Sequence, residues 1–209
     1  MLFRSGDVTI LGLGPDRVVE AIRTALAMGA DKGIHVSDDA LLQADPYCVA
    51  EVLAAVAKQT EFDIIFCGHR AIDDDLGETG AILAELLQIP QVTLVTKIEV
   101  AADKKSVTCE RDVEGGKEVV ESPLPCVVTS QKGLNEPRYA SLPGIMKAKK
   151  KPVDKKSLGD LGVTIEAKLK CANFTMPPER KAGQKFEGME PADVAKTVVG
   201  LLRTEAKVI

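Results

Sequence analysis

Between Asp7 and Pro90 the chain alternates short apolar runs with segments whose apolar residues recur at helical spacing. DVTILGLGP reads as a strand closed by Gly and Pro. The following DRVVEAIRTALAMGA places Val18, Val19, Ile22, Ala25, Leu26 and Met28 near helical spacing until Gly29 ends it. KGIHVS is a second strand, and DPYCVAEVLAAVAKQT a helix with Asp45 as N-cap and Pro46 at its first position. FDIIFC is a third strand, and AILAELLQIP a third helix closed by Pro90. Strands joined by crossover helices predict a mainly parallel sheet with right-handed connections and flanking helices, so the fold class is α/β.

After Pro90 the pattern changes. QVTLVTKIEVAADKKSVTCERDVEGGKEVVESPLPCVVTS alternates with period two, and turn signals at Ala102-Asp103-Lys104 and Gly115-Gly116 predict two antiparallel hairpin connections. PCVVTS has a fully buried character and is expected to return to the main sheet. The charge run KAKKKPVDKKS marks an expected boundary, giving an α/β domain over residues 1–160 and a C-terminal arm over 161–209. Residues 165–190 show little period, whereas PADVAKTVVGLLRT (191–204) reads as an amphipathic helix begun by Pro. An extended arm ending in a helix must dock on its own domain or on a partner.

Composition narrows the function. A length of 209 residues supports one sizeable core, and 45% hydrophobic residues with a net charge of −4 exclude a disordered acidic chain and a global basic field for nucleic acid. Aromatic residues make up 3% with no Trp, which disfavours base-stacking platforms. The cysteines at 48, 67, 109, 126 and 171 form no C-x-x-C pair, so neither zinc nor a disulfide framework is suggested, and core packing is expected. No apolar run approaches the roughly 18 residues that span a membrane. These features predict a soluble protein of a reducing compartment. Residues 2–5, LFRS, resemble a translated sequencing adapter, from which we expect a chain lacking its own start.

Two glycine-containing loops follow predicted strands. Gly12-Leu13-Gly14-Pro15-Asp16-Arg17 has two of the three glycines of a dinucleotide fingerprint, with Arg17 at the third position, and an ordinary tight strand-to-helix turn is the favoured reading. The second, GHRAIDDDLGETG (68–80), leaves the carboxyl end of FDIIFC, where open parallel sheets bind ligands. Asp75 is placed to cap the next helix with Glu78 completing a capping box, and a helix N-terminus offers N–H groups to an anion. Capping explains Asp75 well and explains Asp73 and Asp74 less well, so structural and ligand-binding readings both stand. Catalysis lacks a partner: neither His69 nor His35 has triad spacing, and the EF-hand spacing for a hard cation is absent. No metal is expected.

LNEPRYASLPGIMKAKKK (134–151) is broken by Pro137, Pro143 and Gly144, yet offers Leu142, Ile145 and Met146 beside lysines. A solvated loop is one reading. A short, Pro-bounded helix with apolar residues next to steering charge is the other, and fits a partner-binding peptide.

Together AIDDDLGETG, LNEPRYASLPGIMKAKKK and RTALAMGADKGIHV resemble the beta subunit of electron transfer flavoprotein, over roughly residues 7–165. The resemblance implies a Rossmann-like fold of the adenine nucleotide alpha hydrolase type and a heterodimer with an alpha subunit. That partner would hold most of the FAD, and this chain a structural AMP. It implies an electron carrier rather than an enzyme, fed by acyl-CoA and related dehydrogenases and emptied into a membrane quinone oxidoreductase. No nucleic acid and no membrane insertion are implied, and the location would be the mitochondrial matrix, or the cytoplasm of a bacterium.

Carried over, AMP would lie on Gly68, His69, Arg70, Ala71, Ile72, Asp73, Asp74, Asp75, Leu76, Gly77, Glu78 and Thr79, with Leu13 nearby. The recognition loop would run through Arg138, Tyr139, Ala140, Ser141, Leu142, Pro143, Gly144, Ile145, Met146 and Lys147, with Leu142 as its anchor. His69 and Arg70 stand where the family has other polar residues, and Gly144 stands for a common Asn, from which a looser recognition loop is expected. The family's first strand and its Asn-Pro loop are not matched, so an open position in the sheet and weak AMP binding by the isolated chain are expected. An ATP-binding domain of the universal-stress type is the alternative, but no Gly-rich phosphate end supports it; an ATP pyrophosphatase would need a Ser-Gly-Gly loop that is equally missing.

Overall fold

The computed structural model describes residues 6–170, 172–180 and 182–209; residues 2–5 and Cys171, singled out above, lie outside the described residues. The apolar runs become strands Thr9–Leu13 (β1), Lys32–Val36 (β2) and Ile64–Gly68 (β3). Between and after them run helices Val18–Met28 (α1), Pro46–Ala57 (α2) and Thr79–Leu87 (α3). α1 stops at Gly29, whose backbone turns to φ 126° while its N–H bonds back to Ala25 and Leu26. α2 starts as its sequence predicts: Asp45 accepts a 2.9 Å hydrogen bond from the Cys48 N–H, and Pro46 occupies the first turn.

Five further strands follow: Gln91–Val100 (β4), Ser106–Val113 (β5), Gly116–Pro123 (β6), Cys126–Ser130 (β7) and Val153–Lys156 (β8). They assemble as two sheets, a three-stranded β1-β2-β8 and a five-stranded β3-β7-β4-β5-β6. The first is wholly parallel. In the second, β3, β7 and β4 run parallel, and β5 and β6 extend them as antiparallel hairpins turned at Lys104 and Gly115, both at positive φ. β7 returns to the sheet as its buried composition predicts, and the structure puts it between β3 and β4. β1 and β3 each form an edge, so the parallel strands do not make one continuous ladder among the described residues.

Helices cover both faces of the β1-β2-β8 sheet. Ile22 and Leu26 of α1 close one face with Ile10 and Val153, while Ile34 and Val36 alternate to the other and meet Val52 and Val56 of α2. α2 also turns Ala50 and Ala54 toward Leu83 and Ala84 of α3 and Val127 of β7, so this one helix serves both sheets. The basic run read as a boundary is instead structural. Helix Leu142–Ala148 (α4) ends in it, and β8 pairs it along β2. Val153 faces the core, while Lys155 and Lys156 reach Asp16 and Gln59 at 2.8 Å, as suits an edge strand. A last short helix, Leu158–Leu161 (α5), has a Ser157/Asp160 capping box and packs beside α2.

The chain divides into two compact units, residues 1–170 and 171–209. In the second, the described residues form no helix or strand before Pro191–Leu201 (α6), which continues as a π turn over Leu202–Ala206. No residue of α6 is fully buried, and Phe174 and Met176 are 87% and 90% exposed.

Candidate functional site

The stretch 68–79 leaves the carboxyl end of β3 and closes mostly on itself. The His69 N–H bonds to the Ser130 carbonyl at 3.2 Å, and its Nδ1 lies 3.4 Å from the Thr129 hydroxyl, so the loop starts from the adjoining strand β7. From there the contacts are local. The Asp75 N–H donates to Ala71 O at 3.1 Å, the Asp74 N–H to the Asp73 carboxylate at 3.1 Å, and the Leu76 N–H to the Asp74 carboxylate at 3.3 Å. Arg70 pairs with Asp75 at 3.0 Å, with both side chains more than half exposed. Asp75 at φ 55° and Gly77 at φ 66° turn the chain twice before α3 begins.

This geometry corrects one expectation. Asp75 does not cap α3, because Arg70 takes its carboxylate and the Gly77 turn separates it from the helix start. The N-cap is Glu78, and it makes no side-chain cap. The first N–H groups of α3 therefore keep their donor capacity at the carboxyl end of a parallel sheet, the place where an anion is favoured. Gly80 sets the depth of that helix start: a Cβ there would come 2.6 Å from the Thr129 methyl. Gly68 is open, with nothing within 4 Å of where its Cβ would stand. Ile72 is fully exposed at 101% and Leu76 is half exposed, which puts apolar surface on this loop.

Leu13 ends β1, in the other sheet, opposite Val36. The strand end and the turn after it pack tightly on α1: a Cβ on Gly12 would meet Val18 at 2.8 Å, and one on Gly14, at φ 129°, would meet the same side chain at 3.2 Å. The neighbouring His35 is 1% exposed, with Nε2 2.9 Å from the Gly14 carbonyl. Burial pushes the Cys67 thiol up, as it does those of Cys48, Cys109 and Cys126, which suits packing rather than nucleophilic roles. Among the described residues no group of His, Cys, Asp and Glu could hold a metal ion, and no helix is long and apolar enough to cross a membrane.

The second predicted site, 138–147, is an irregular stretch followed by α4. Ser141 caps the helix by accepting from the Gly144 N–H at 3.1 Å, and Pro143 occupies the first turn. Leu142 is 79% exposed and Met146 62%, with Ile145 and Tyr139 also exposed. The expected loosening at Gly144 is not found. A Cβ at that position would lie 2.6 Å from the Ala27 carbonyl, so glycine lets α4 sit directly on α1. A feature the sequence did not disclose is a cavity of about 390 Å³ lined by residues 130–137, at the carboxyl end of β7 beside β3.

Residues 3–161 match the electron transfer flavoprotein domain. The chain is 46% identical over 208 residues to the electron transfer flavoprotein subunit beta of Bacillus subtilis, covering 98% of this chain and 80% of that protein. The chain belongs to the electron transfer flavoprotein beta-subunit family. The mouse subunit beta is 46% identical over 187 residues, covering 88% of this chain and 72% of its own length. The mitochondrial subunit beta of Arabidopsis thaliana is 39% identical over 203 residues, covering 97% and 78%. A role as a subunit of an electron transfer flavoprotein follows from this membership. The Rossmann-like α/β architecture agrees with it.

Proposed function

We propose that this chain is the beta subunit of a heterodimeric electron carrier that accepts electrons from acyl-CoA and related dehydrogenases and passes them to a quinone oxidoreductase. The observation that carries the reading is the match to named beta subunits along nearly the whole chain. In a eukaryote it would work in the mitochondrial matrix, in a bacterium in the cytoplasm. The alpha subunit holds most of the FAD, which supplies the redox chemistry when bound. This chain contributes position and contact, and breaks no bonds itself.

A structural AMP fits the stretch from Gly68 to Thr79. The uncapped N-terminal N–H groups of α3 suit a phosphate, and the open Gly68 suits close backbone approach. Asp73, Asp74 and Glu78 repel an anion but can accept from ribose hydroxyls, so phosphate recognition falls to backbone donors rather than side chains. Leu13 supplies an apolar contact from β1. The recognition segment is Arg138–Lys147, with exposed Leu142 as the anchor that enters an apolar pocket on a dehydrogenase. A small anchor suits an encounter that must end after each electron delivery. The second unit, with Phe174 and Met176 exposed, supports an arm that docks on the alpha subunit.

The test is co-expression with an electron transfer flavoprotein alpha subunit. A yellow heterodimer that releases AMP on denaturation is the expected result, and a colourless, ATP-binding homodimer would overturn the reading.

A further inference from the structure

Helix α4 is short, exposed on its apolar side, and by itself too brief to persist in water. Two basic side chains from distant parts of the chain join its carboxyl end to that of α1. Arg23 of α1 donates through Nη1 to the carbonyls of Ala148 and Lys151, both at 2.6 Å. Lys151 returns the contact: its Nζ donates to Leu26 O at 3.0 Å and to Ala30 O, at the carboxyl end of α1. Each helix end thus receives a cation borne by the other segment. Each positive charge is offset by carbonyls that carry the negative end of a helix dipole.

The exchange is half-buried rather than solvated, and Ala148 beneath it is 3% exposed. Hydrogen bonds from charged donors in such a place are among the stronger ones. Immediately after Lys151, Pro152 gives its carbonyl to the Gly33 N–H at 3.0 Å and the chain enters β8. Together with the Gly144 contact on Ala27, these bonds fix α4 in position and rotation on α1.

We propose that Arg23 and Lys151 are positioning residues for partner docking. They form a reciprocal clamp that holds α4 rigid, so that Leu142, Ile145 and Met146 meet the partner without first being ordered. A preorganised anchor avoids the ordering cost that a free loop incurs on binding. Neither side chain touches the partner in this scheme. The inference rests on the reading of α4 as the dehydrogenase-docking helix.

The experiment uses the heterodimer with its alpha subunit, and an acyl-CoA dehydrogenase reduced by its own substrate as the probe. Variants are Arg23→Gln, Lys151→Met, which keeps the aliphatic stem, Arg23→Lys, and Leu142→Ala as the reference for docking. Three quantities are read: dehydrogenase affinity, amide hydrogen exchange over residues 145–151, and retained AMP. Arg23→Gln and Lys151→Met are expected to weaken affinity about ten-fold and to speed exchange across 145–151, with AMP retained. Arg23→Lys should recover part of both, since one ammonium keeps the charge without the guanidinium's geometry.

If Leu142→Ala abolishes docking while Arg23→Gln leaves affinity and exchange unchanged, the clamp is wrong and the docking reading survives. Unchanged docking in Leu142→Ala would instead remove the docking reading and the clamp with it. Loss of AMP together with docking in both clamp variants would mean general unfolding and would also overturn the proposal.

Discussion

The loop after β3 and helix α4 both present exposed apolar and charged side chains, yet they are held in opposite ways. Beyond His69, among the described residues, the loop's bonds are to itself: Asp73 to Asp74, Asp74 to Leu76, Ala71 to Asp75, and Arg70 to Asp75. α4 is held from afar, by Arg23 and Ala27 of α1 and by the strand that follows it. A segment bonded only to itself can adjust its backbone to a ligand that surrounds itself with backbone groups. A segment bonded to the core arrives in shape, which suits a surface that must bind and release quickly. The difference teaches that exposure alone does not separate the proposed ligand loop from the proposed docking helix, whereas the sequence distance of the supporting bonds does.

The largest expected effect is at the α4 support. Gly144→Val places methyl groups where a Cβ alone would already be 2.6 Å from the Ala27 carbonyl. Either α4 lifts from α1 or α1 shifts, and overpacking of this kind costs about 1–3 kcal/mol. Urea unfolding should move to lower midpoints, dehydrogenase affinity should fall, and AMP should stay bound. Unchanged stability would mean that α4 is as loosely held as the loop, and the contrast would collapse.

A second long-range anchor gives an effect of intermediate size and a sharper signature. Asp45 accepts not only from Cys48 but from the Lys168 and Leu169 N–H groups at 2.7 and 3.0 Å, tying the end of the first unit to α2. The Cys48 N–H, and then those two, hold its carboxyl at about 2 against an ordinary 3.8. A carboxyl lowered in the folded state contributes stability that is complete above its unfolded value and fades as pH falls through its folded one. Between about pH 4 and 2, therefore, Asp45→Asn should lose less stability than the unchanged chain, because part of its loss has already been taken. Parallel acid titrations followed by circular dichroism would reveal it; identical slopes would mean that the 168–169 segment is not anchored there.

Local signals made much of this legible beforehand. Gly29 ends α1, Asp45 and Pro46 begin α2, the hairpin turns fall where Lys104 and Gly115 predicted, and β7 returns to the sheet that holds β3. What escaped depends on partners far along the chain. β8 was hidden because an edge strand needs only Val153 inward, and its lysines read as a charge run. Arg23 and Lys151 lie on ordinary helical and basic patterns, and nothing within a few residues of either announces the other. Asp75 misled for the converse reason: its spacing to Glu78 matches a capping box, but a local competitor, Arg70, captured it first.

The smallest effect expected is in the loop itself. Asp75 sits at φ 55°, where a side chain costs about 1–2 kcal/mol and glycine costs little. Asp75→Gly relieves that strain but loosens the unfolded chain and removes the ion pair with Arg70, which at more than half exposure is worth at most about 1 kcal/mol after screening. The opposing terms leave stability within about 0.5 kcal/mol of the unchanged chain. AMP retention should hold as well, if the nucleotide is bound through backbone rather than through this carboxylate. Thermal unfolding and AMP release measured on the same heterodimer separate the outcomes. A large loss of stability would make the loop a rigid structural element like α4. Loss of AMP without loss of stability would make Asp75 a direct ligand, and the division between a self-bonded ligand loop and a core-bonded docking helix would have to be redrawn around its side chains.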